Sequence, residues 1–275
     1  MEAKLKGENQ IKTFRRIARD LTSKISSHKG VAGIVFIGGL VRGFADKFSD
    51  VDIVVLLTER DEHLRKQLYD LSASTQRRLG IDIDLEAHFL EDFKKQKWDE
   101  FDRWEFSRAE IFYDPEGVVK RVFEEKLRLP NDFWTTRVAV CAEHLKWYCC
   151  PPSDDVGTIA ESWVERGDLL SAHHCLNYGV NLIVRIMFAL NKEHLPAPKW
   201  GLFYSYDLKW QPKGYRKLIK DAMKVKSFSK EDFNLRLKAI RKIWHSILPK
   251  IEDETGLTTD QLSKYYVEKI LGIRT

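Results

Sequence analysis

Asp50-Val51-Asp52 stands at the head of an apolar run, Ile53 to Leu57. Residues two apart in a strand leave the same face, so both carboxylates point one way at the mouth of a buried strand. Charges placed there are costly unless something pairs with them. An earlier apolar run, Val31 to Ile37, ends at Gly38-Gly39, and a later one, Ile81-Asp82-Ile83-Asp84-Leu85-Glu86, alternates strictly. The alternation makes a strand with one apolar and one acidic face. If the two acidic strands are neighbours, three or more carboxylates meet on one surface.

Such a cluster repels itself and raises its own pKa values without a cation. Hard oxygen donors of this kind suit Mg²⁺ or Mn²⁺. Two such ions bridged by carboxylates are the usual clamp for phosphoryl and nucleotidyl transfer. Gly38 and Gly39 end a strand and precede a short helix, where bare backbone N–H groups bind phosphate. Arg42 lies one turn further on and can reach a phosphate oxygen.

The chain has 275 residues, with 43% apolar and 32% charged side chains, which fits a folded globular protein. Helical spacing of Ile11, Phe14, Ile17, Leu21 and Ile25 predicts a helix over 9–28. Strands are expected at 31–37, 51–57, 81–86 and 111–113, with helices at 61–78 and 91–108. Beyond Asp114-Pro115-Glu116-Gly117 the pattern is helical: 118–128, 132–149, 155–191 with a break near Gly167-Asp168, 213–224, 230–248 and 259–271. Ser229, with Asp232 three residues on, reads as a capping box. The expected layout is α+β: an N-terminal α/β domain with a small mixed sheet, 1–117, and a C-terminal all-α bundle, 118–275.

The pattern G-G-x(10)-D-V-D, between a strand and an apolar run, resembles the signature of the DNA polymerase β-type nucleotidyltransferase superfamily. The resemblance covers roughly 31–90. It implies a nucleotidyltransferase domain in which Asp50 and Asp52 bind metal and an acidic residue of the later strand completes the site. Comparison with adenylyltransferases favours Asp84 as that residue, and comparison with polymerases favours Asp82. We take Asp84, as metal ligand, general base or both. The superfamily usually has Ser or Thr after the two glycines, and this chain has Leu40. That departure implies weaker nucleotide binding, compensation by Arg42 or Lys47, or a silent site.

Residues 177–200, NYGVNLIVRIMFALNKEHLPAPKW, resemble the helical domain of bacterial antibiotic adenylyltransferases such as the streptomycin/spectinomycin and lincosamide enzymes. There a helix Arg and a Lys beyond a proline-containing loop approach the bound ATP, and the matching positions are Arg185 and Lys199. The resemblance implies ATP as co-substrate, Mg²⁺ as cofactor, and AMP transfer to a hydroxyl of a small acceptor.

Charge bears on the acceptor. Residues 84–116 hold eleven Asp/Glu against five Lys/Arg, and 199–250 hold fourteen Lys/Arg against four Asp/Glu. Walls of opposite sign suit a cationic acceptor and a polyphosphate. The alternatives are a protein or RNA acceptor, or a silent nucleotide-binding module. Nucleic acid is disfavoured because no aromatic-basic recognition motif is present. Cys141, Cys149, Cys150 and Cys175 form no C-x-x-C pair, which predicts free thiols and no zinc site. The segment MEAKLKGENQIK lacks an apolar signal core, and no apolar run approaches the ~20 residues of a membrane helix. A cytoplasmic chain without membrane contact is expected.

Overall fold

The computed structural model describes residues 5–153 and 156–273. Residues 1–4, within the segment read for a signal core, and 155, the expected start of a helix, lie outside it. The chain divides into two compact units, Lys4–Arg128 and Leu129–Thr275.

In the first unit, α1 (Ile11–Ile25) turns Phe14, Ile17, Leu21 and Ile25 inward. Strand β1 (Val31–Phe36) is buried at every position. A short α2 (Gly38–Arg42) follows, then β2 (Val51–Leu57). Helix α3 (Glu62–Leu79) is capped by the Asp61 side chain, which accepts from Leu64 N–H, and stops at Gly80 in the left-handed region. Strand β3 (Ile83–Phe89) alternates buried and outward residues as expected, starting at 83 rather than 81.

The expected helix 91–108 is two helices, α4 (Leu90–Lys95) and α5 (Glu100–Phe106), the second started by an Asp99–Asp102 capping box. Strand β4 (Glu110–Tyr113) and helix α6 (Val118–Lys126) complete the unit. The sheet runs β3-β2-β1-β4. Strand β1 is antiparallel to both β2 and β4, and β2 is parallel to β3. This is the small mixed sheet that the strand pattern predicts.

One sheet face buries Val51, Ile53 and Val55 against α1 and α3. The other buries Val54 and Leu56 against Phe93, Trp98 and Phe123. Trp98 stacks on Phe106 at 4.4 Å between centroids. Truncating a buried ring such as Phe93 to Ala costs about 3–5 kcal/mol. Helix α6 belongs to this layer. A Cβ on Gly33 would stand 2.1 Å from Val119 Cγ2, so the Val119 side chain packs directly on the strand backbone. The first unit therefore runs to Arg128, beyond the boundary at 117 that the sequence pattern implies.

The second unit is helical: α7 (Phe133–Tyr148), α8 (Ile159–Glu165), α9 (Leu169–Leu190), α10 (Pro198–Ser205), α11 (Tyr215–Met223), α12 (Lys230–Thr255) and α13 (Thr259–Tyr265). A π turn, Tyr266–Ile270, follows. Helix α9 carries the largest share of the core. The break at Gly167-Asp168 is present, with Asp168 capping α9.

Two details differ from expectation. Helix α12 runs through Pro249 to Thr255 and ends at Gly256 in the left-handed region. Proline removes one N–H, but the surrounding packing carries the helix past it. Ser229 caps α12, but Asp232 turns away and accepts from Lys226 N–H and Ser227 N–H, each at 2.6 Å. It is a one-sided cap. The four cysteines are free thiols. Among the described residues, no helix is long and apolar enough to cross a membrane.

Candidate active site

The start of β2, the turn into α2 and the middle of α5 meet at one end of the sheet. Gly38 has φ +61°, and a Cβ there would fall 1.7 Å from Asp52 Oδ2. Both the backbone conformation and the carboxylate beside it require glycine. Gly39 N–H donates to Asp52 Oδ2 at 3.3 Å. Gly38 N–H donates to Glu105 Oε2 at 3.3 Å, and Arg42 Nη1 donates to Glu105 Oε1 at 3.3 Å. Both side chains of this Arg42–Glu105 pair are largely buried. The Arg42 guanidinium also lies over the Trp104 ring, 5.9 Å from its centroid.

The sequence pattern points to Gly38, Gly39, Arg42 and Asp52 but passes over Glu105. Its signal is a carboxylate between two aromatic residues, Trp104 and Phe106. A charge in that setting is buried, and buried charges are paired.

Asp52 and Asp84 are register partners in the parallel β2–β3 pair. They rise side by side on the same face, and Asp84 stays exposed. Burial pushes the Asp52 carboxyl up to about 7. Asp50 adds to the rise, and the Gly39 N–H and Arg42 oppose it. Burial also raises Asp84, with further contributions from Glu86 and Asp50. Asp50 thus acts electrically on both Asp52 and Asp84.

Asp82 is elsewhere. It precedes β3, and Gln76 Nε2 on α3 donates to its Oδ1 at 2.8 Å. Helix α3 covers the opposite sheet face, so Asp82 and Asp84 do not share a face as the alternation implied. Further along β3, Glu86 contacts His88 Nε2 at 2.8 Å, which holds its carboxyl low. Asp102 on α5 is raised by burial and feels Glu86.

Leu40 faces inward, 1% exposed in the core between sheet and α1. Its carbonyl accepts from Arg15 Nη2 at 2.8 Å. Lys47 is exposed, its ammonium 4.9 Å from the Phe48 ring centroid. Arg185 and Lys199 belong to the second unit and are exposed on α9 and α10. Arg185 acts electrically on Tyr178 of its own helix.

Among the described residues, no three His, Cys, Asp or Glu side chains gather closely enough to hold a metal ion. In kind, Asp50, Asp52 and Asp84 fit a hard divalent cation. They are oxygen donors, and a cation relieves the repulsion that Asp50 exerts on Asp52 and on Asp84.

Residues 15–128 match the family described as nucleotidyltransferase domain. Residues 103–201 match a domain of unknown function, DUF4037. No curated protein matches the chain. A nucleotidyltransferase-like protein from Exiguobacterium sibiricum is a structural neighbour at 11% identity, covering 87% of this chain and 77% of that one, with TM-score 0.42. A toxin-antitoxin structure with AMP-PNP is 15% identical over 49% of this chain and 97% of that one, with TM-score 0.31. A mutant of the toxin-antitoxin MntA-HpeT is 14% identical over 50% and 98%, with TM-score 0.30.

Proposed function

We propose, from a first unit that matches the nucleotidyltransferase domain family, that the chain transfers AMP from ATP to a hydroxyl of a small, cationic acceptor and releases pyrophosphate. The observation that carries this is the convergence of Asp52 on the Gly38-Gly39 turn, with Asp84 beside it across β2–β3.

Gly38 N–H, Gly39 N–H and Arg42 would hold the triphosphate, as donors that suit phosphate oxygens. Glu105 now engages two of these donors, so triphosphate binding displaces its carboxylate. Asp50 and Asp52, with Asp84 beside them, would hold Mg²⁺ or Mn²⁺, which neutralises charge on the phosphates when bound. Asp84 takes the proton of the acceptor hydroxyl. The hydroxyl oxygen bonds to the α-phosphorus, the α–β P–O bond breaks, and its electron pair leaves with pyrophosphate. Positioning and charge neutralisation supply most of the acceleration.

A cationic acceptor is favoured by Glu86 and Asp102, which continue the acidic surface beyond Asp84. Arg185 and Lys199, as cations for the nucleotide, rest on the resemblance to antibiotic adenylyltransferases alone, and so does the choice of ATP. The test incubates the chain, Mg²⁺ and α-labelled ATP with a panel of amine-bearing antibiotics and with cell extract. Transfer of label to an acceptor, lost in Asp52→Asn, is expected. Label found only in free nucleotide, with no pyrophosphate released, contradicts the proposal.

A further inference from the structure

We propose that the groove between α11 and α12 docks an acidic segment of a protein partner that also carries large aliphatic side chains. The groove has a volume of about 390 Å³ and lies wholly within the second unit. Its rim is cationic: Lys224, Lys226, Lys238 and Lys242 line it. Asp221 and Asp232 are its acidic residues, and Asp232 is buried, its Oδ2 accepting the N–H groups of Lys226 and Ser227. Lys224, Lys238 and Lys242 form no ion pair among the described residues. Lys238 and Lys242 also line a second hollow of about 490 Å³ on the same helix. The positive surface is therefore continuous along α12.

Between the lysines the surface is apolar. Leu218, Leu235 and Ala239 line the groove, and Leu235 is 62% exposed. Met223, Val225 and Phe228, in and beside the α11–α12 turn, are exposed as well. Several large apolar side chains grouped at one place on a surface mark an interaction site, whereas single ones need no explanation.

The platform is fixed before any partner arrives. The fully buried Arg236 donates from Nε to Ala222 O at 2.6 Å and from Nη1 to His173 Nδ1 at 2.8 Å. It ties the last turn of α11 to α12 and to α9. The two bonds to Asp232 hold the turn itself. A preformed groove loses little ordering entropy on binding.

The chemistry selects the occupant. Carboxylates match a lysine rim, and aliphatic side chains match Leu218 and Leu235. An amphipathic helix laid in a groove presents both kinds on adjacent positions. Nucleic acid fits less well. No aromatic ring lines the groove, and that of Phe228 beside it is engaged edge-on with His173. The neighbouring Arg241 is already engaged by Glu161 and by the Cys149 carbonyl.

The test selects peptides from a random display library on the full chain. It then measures the synthesised winners by fluorescence anisotropy at low and high salt, beside a single-stranded RNA oligomer and anionic vesicles. The expected winners combine Asp or Glu with Leu, Ile or Phe. Lys238→Glu with Lys242→Glu should weaken them by about tenfold or more and flatten the salt dependence. Leu235→Ser should weaken them by roughly fivefold to tenfold with the salt dependence unchanged. These side chains are exposed, so the variants should keep the wild-type melting temperature. Three results overturn the proposal: no enrichment, winners without acidic residues, or affinities indifferent to these substitutions. Tighter binding of RNA or vesicles that the same charge reversals abolish also overturns it.

Discussion

Asp52 and Asp84 stand level with each other on neighbouring parallel strands, while Asp82 is drawn to Gln76 on the far side of the sheet. Asp82 and Asp84, equivalent by strand alternation, are therefore separated by the backbone. Asp84→Asn should lower kcat by several orders of magnitude with ATP affinity little changed. Asp82→Asn should leave kcat within a few-fold of wild type. Steady-state kinetics beside an ATP titration decides this. A collapse in Asp82→Asn with Asp84→Asn near normal reverses the assignment.

Glu105 bridges Gly38 N–H and Arg42, two of the groups that would hold the triphosphate. Glu105→Gln keeps the shape but removes the charge that competes with phosphate. It should bind ATP more tightly, by about the factor of ten that ~1.4 kcal/mol represents, because charge-assisted bonds to the competitor are lost. Equal or weaker ATP binding in a folded Glu105→Gln chain means that Glu105 holds Arg42 in its working position instead. Calorimetric titration distinguishes the two.

Leu40 is a core residue rather than a phosphate ligand that was lost. Leu40→Ser removes buried apolar volume and buries a hydroxyl. It should destabilise the chain by about 2–5 kcal/mol and should not tighten ATP binding. Thermal melts beside the titration check both halves. A stable Leu40→Ser chain with tighter ATP binding contradicts the packing role.

The raised Asp52 carboxyl has a sign that can be worked out. Its folded pKa is about 7 against an ordinary 3.8. Between those values the native state holds the proton that the unfolded chain has released. Stability from this group therefore falls as pH rises from about 4 to 7 and stays low above that. Asp52→Asn does not titrate. With divalent cations chelated, it should melt several degrees above wild type near pH 8, and the gap should close towards pH 5. A gap that is absent near pH 8, or widens in acid, contradicts the burial and charge crowding described for Asp52. The same variant should lose turnover by several orders of magnitude.

Much of the first unit is legible in the sequence because its signals are local. Strand alternation, the helical spacing of α1 and α3, and glycines at positive φ each act within a few residues. The placement of α6 is not legible, because the contact between Gly33 and Val119 joins distant parts of the chain. The prolines around α10 punctuate the sequence like a loop, yet Pro198 occupies the first turn of a helix, where the missing N–H does no harm. The alternation that includes Asp82 runs two residues past the true start of β3, and a strand end is set by its neighbours. Glu105 is hidden for the same reason. Its partners, Gly38 and Arg42, lie more than sixty residues earlier.

In the proposed mechanism Gly38, Gly39, Arg42 and the Asp50/Asp52 pair form a nucleoside triphosphate site that works with a divalent cation. Calorimetric titration of ATP into the full chain, with Mg²⁺ and with chelator, tests it most directly when repeated on Asp52→Asn and Arg42→Ala. Saturable binding with Mg²⁺ is expected, at least tenfold weaker with chelator, with a comparable loss in each variant. Binding indifferent to Mg²⁺ and to both substitutions, or no binding of any nucleoside triphosphate to the folded chain, contradicts it.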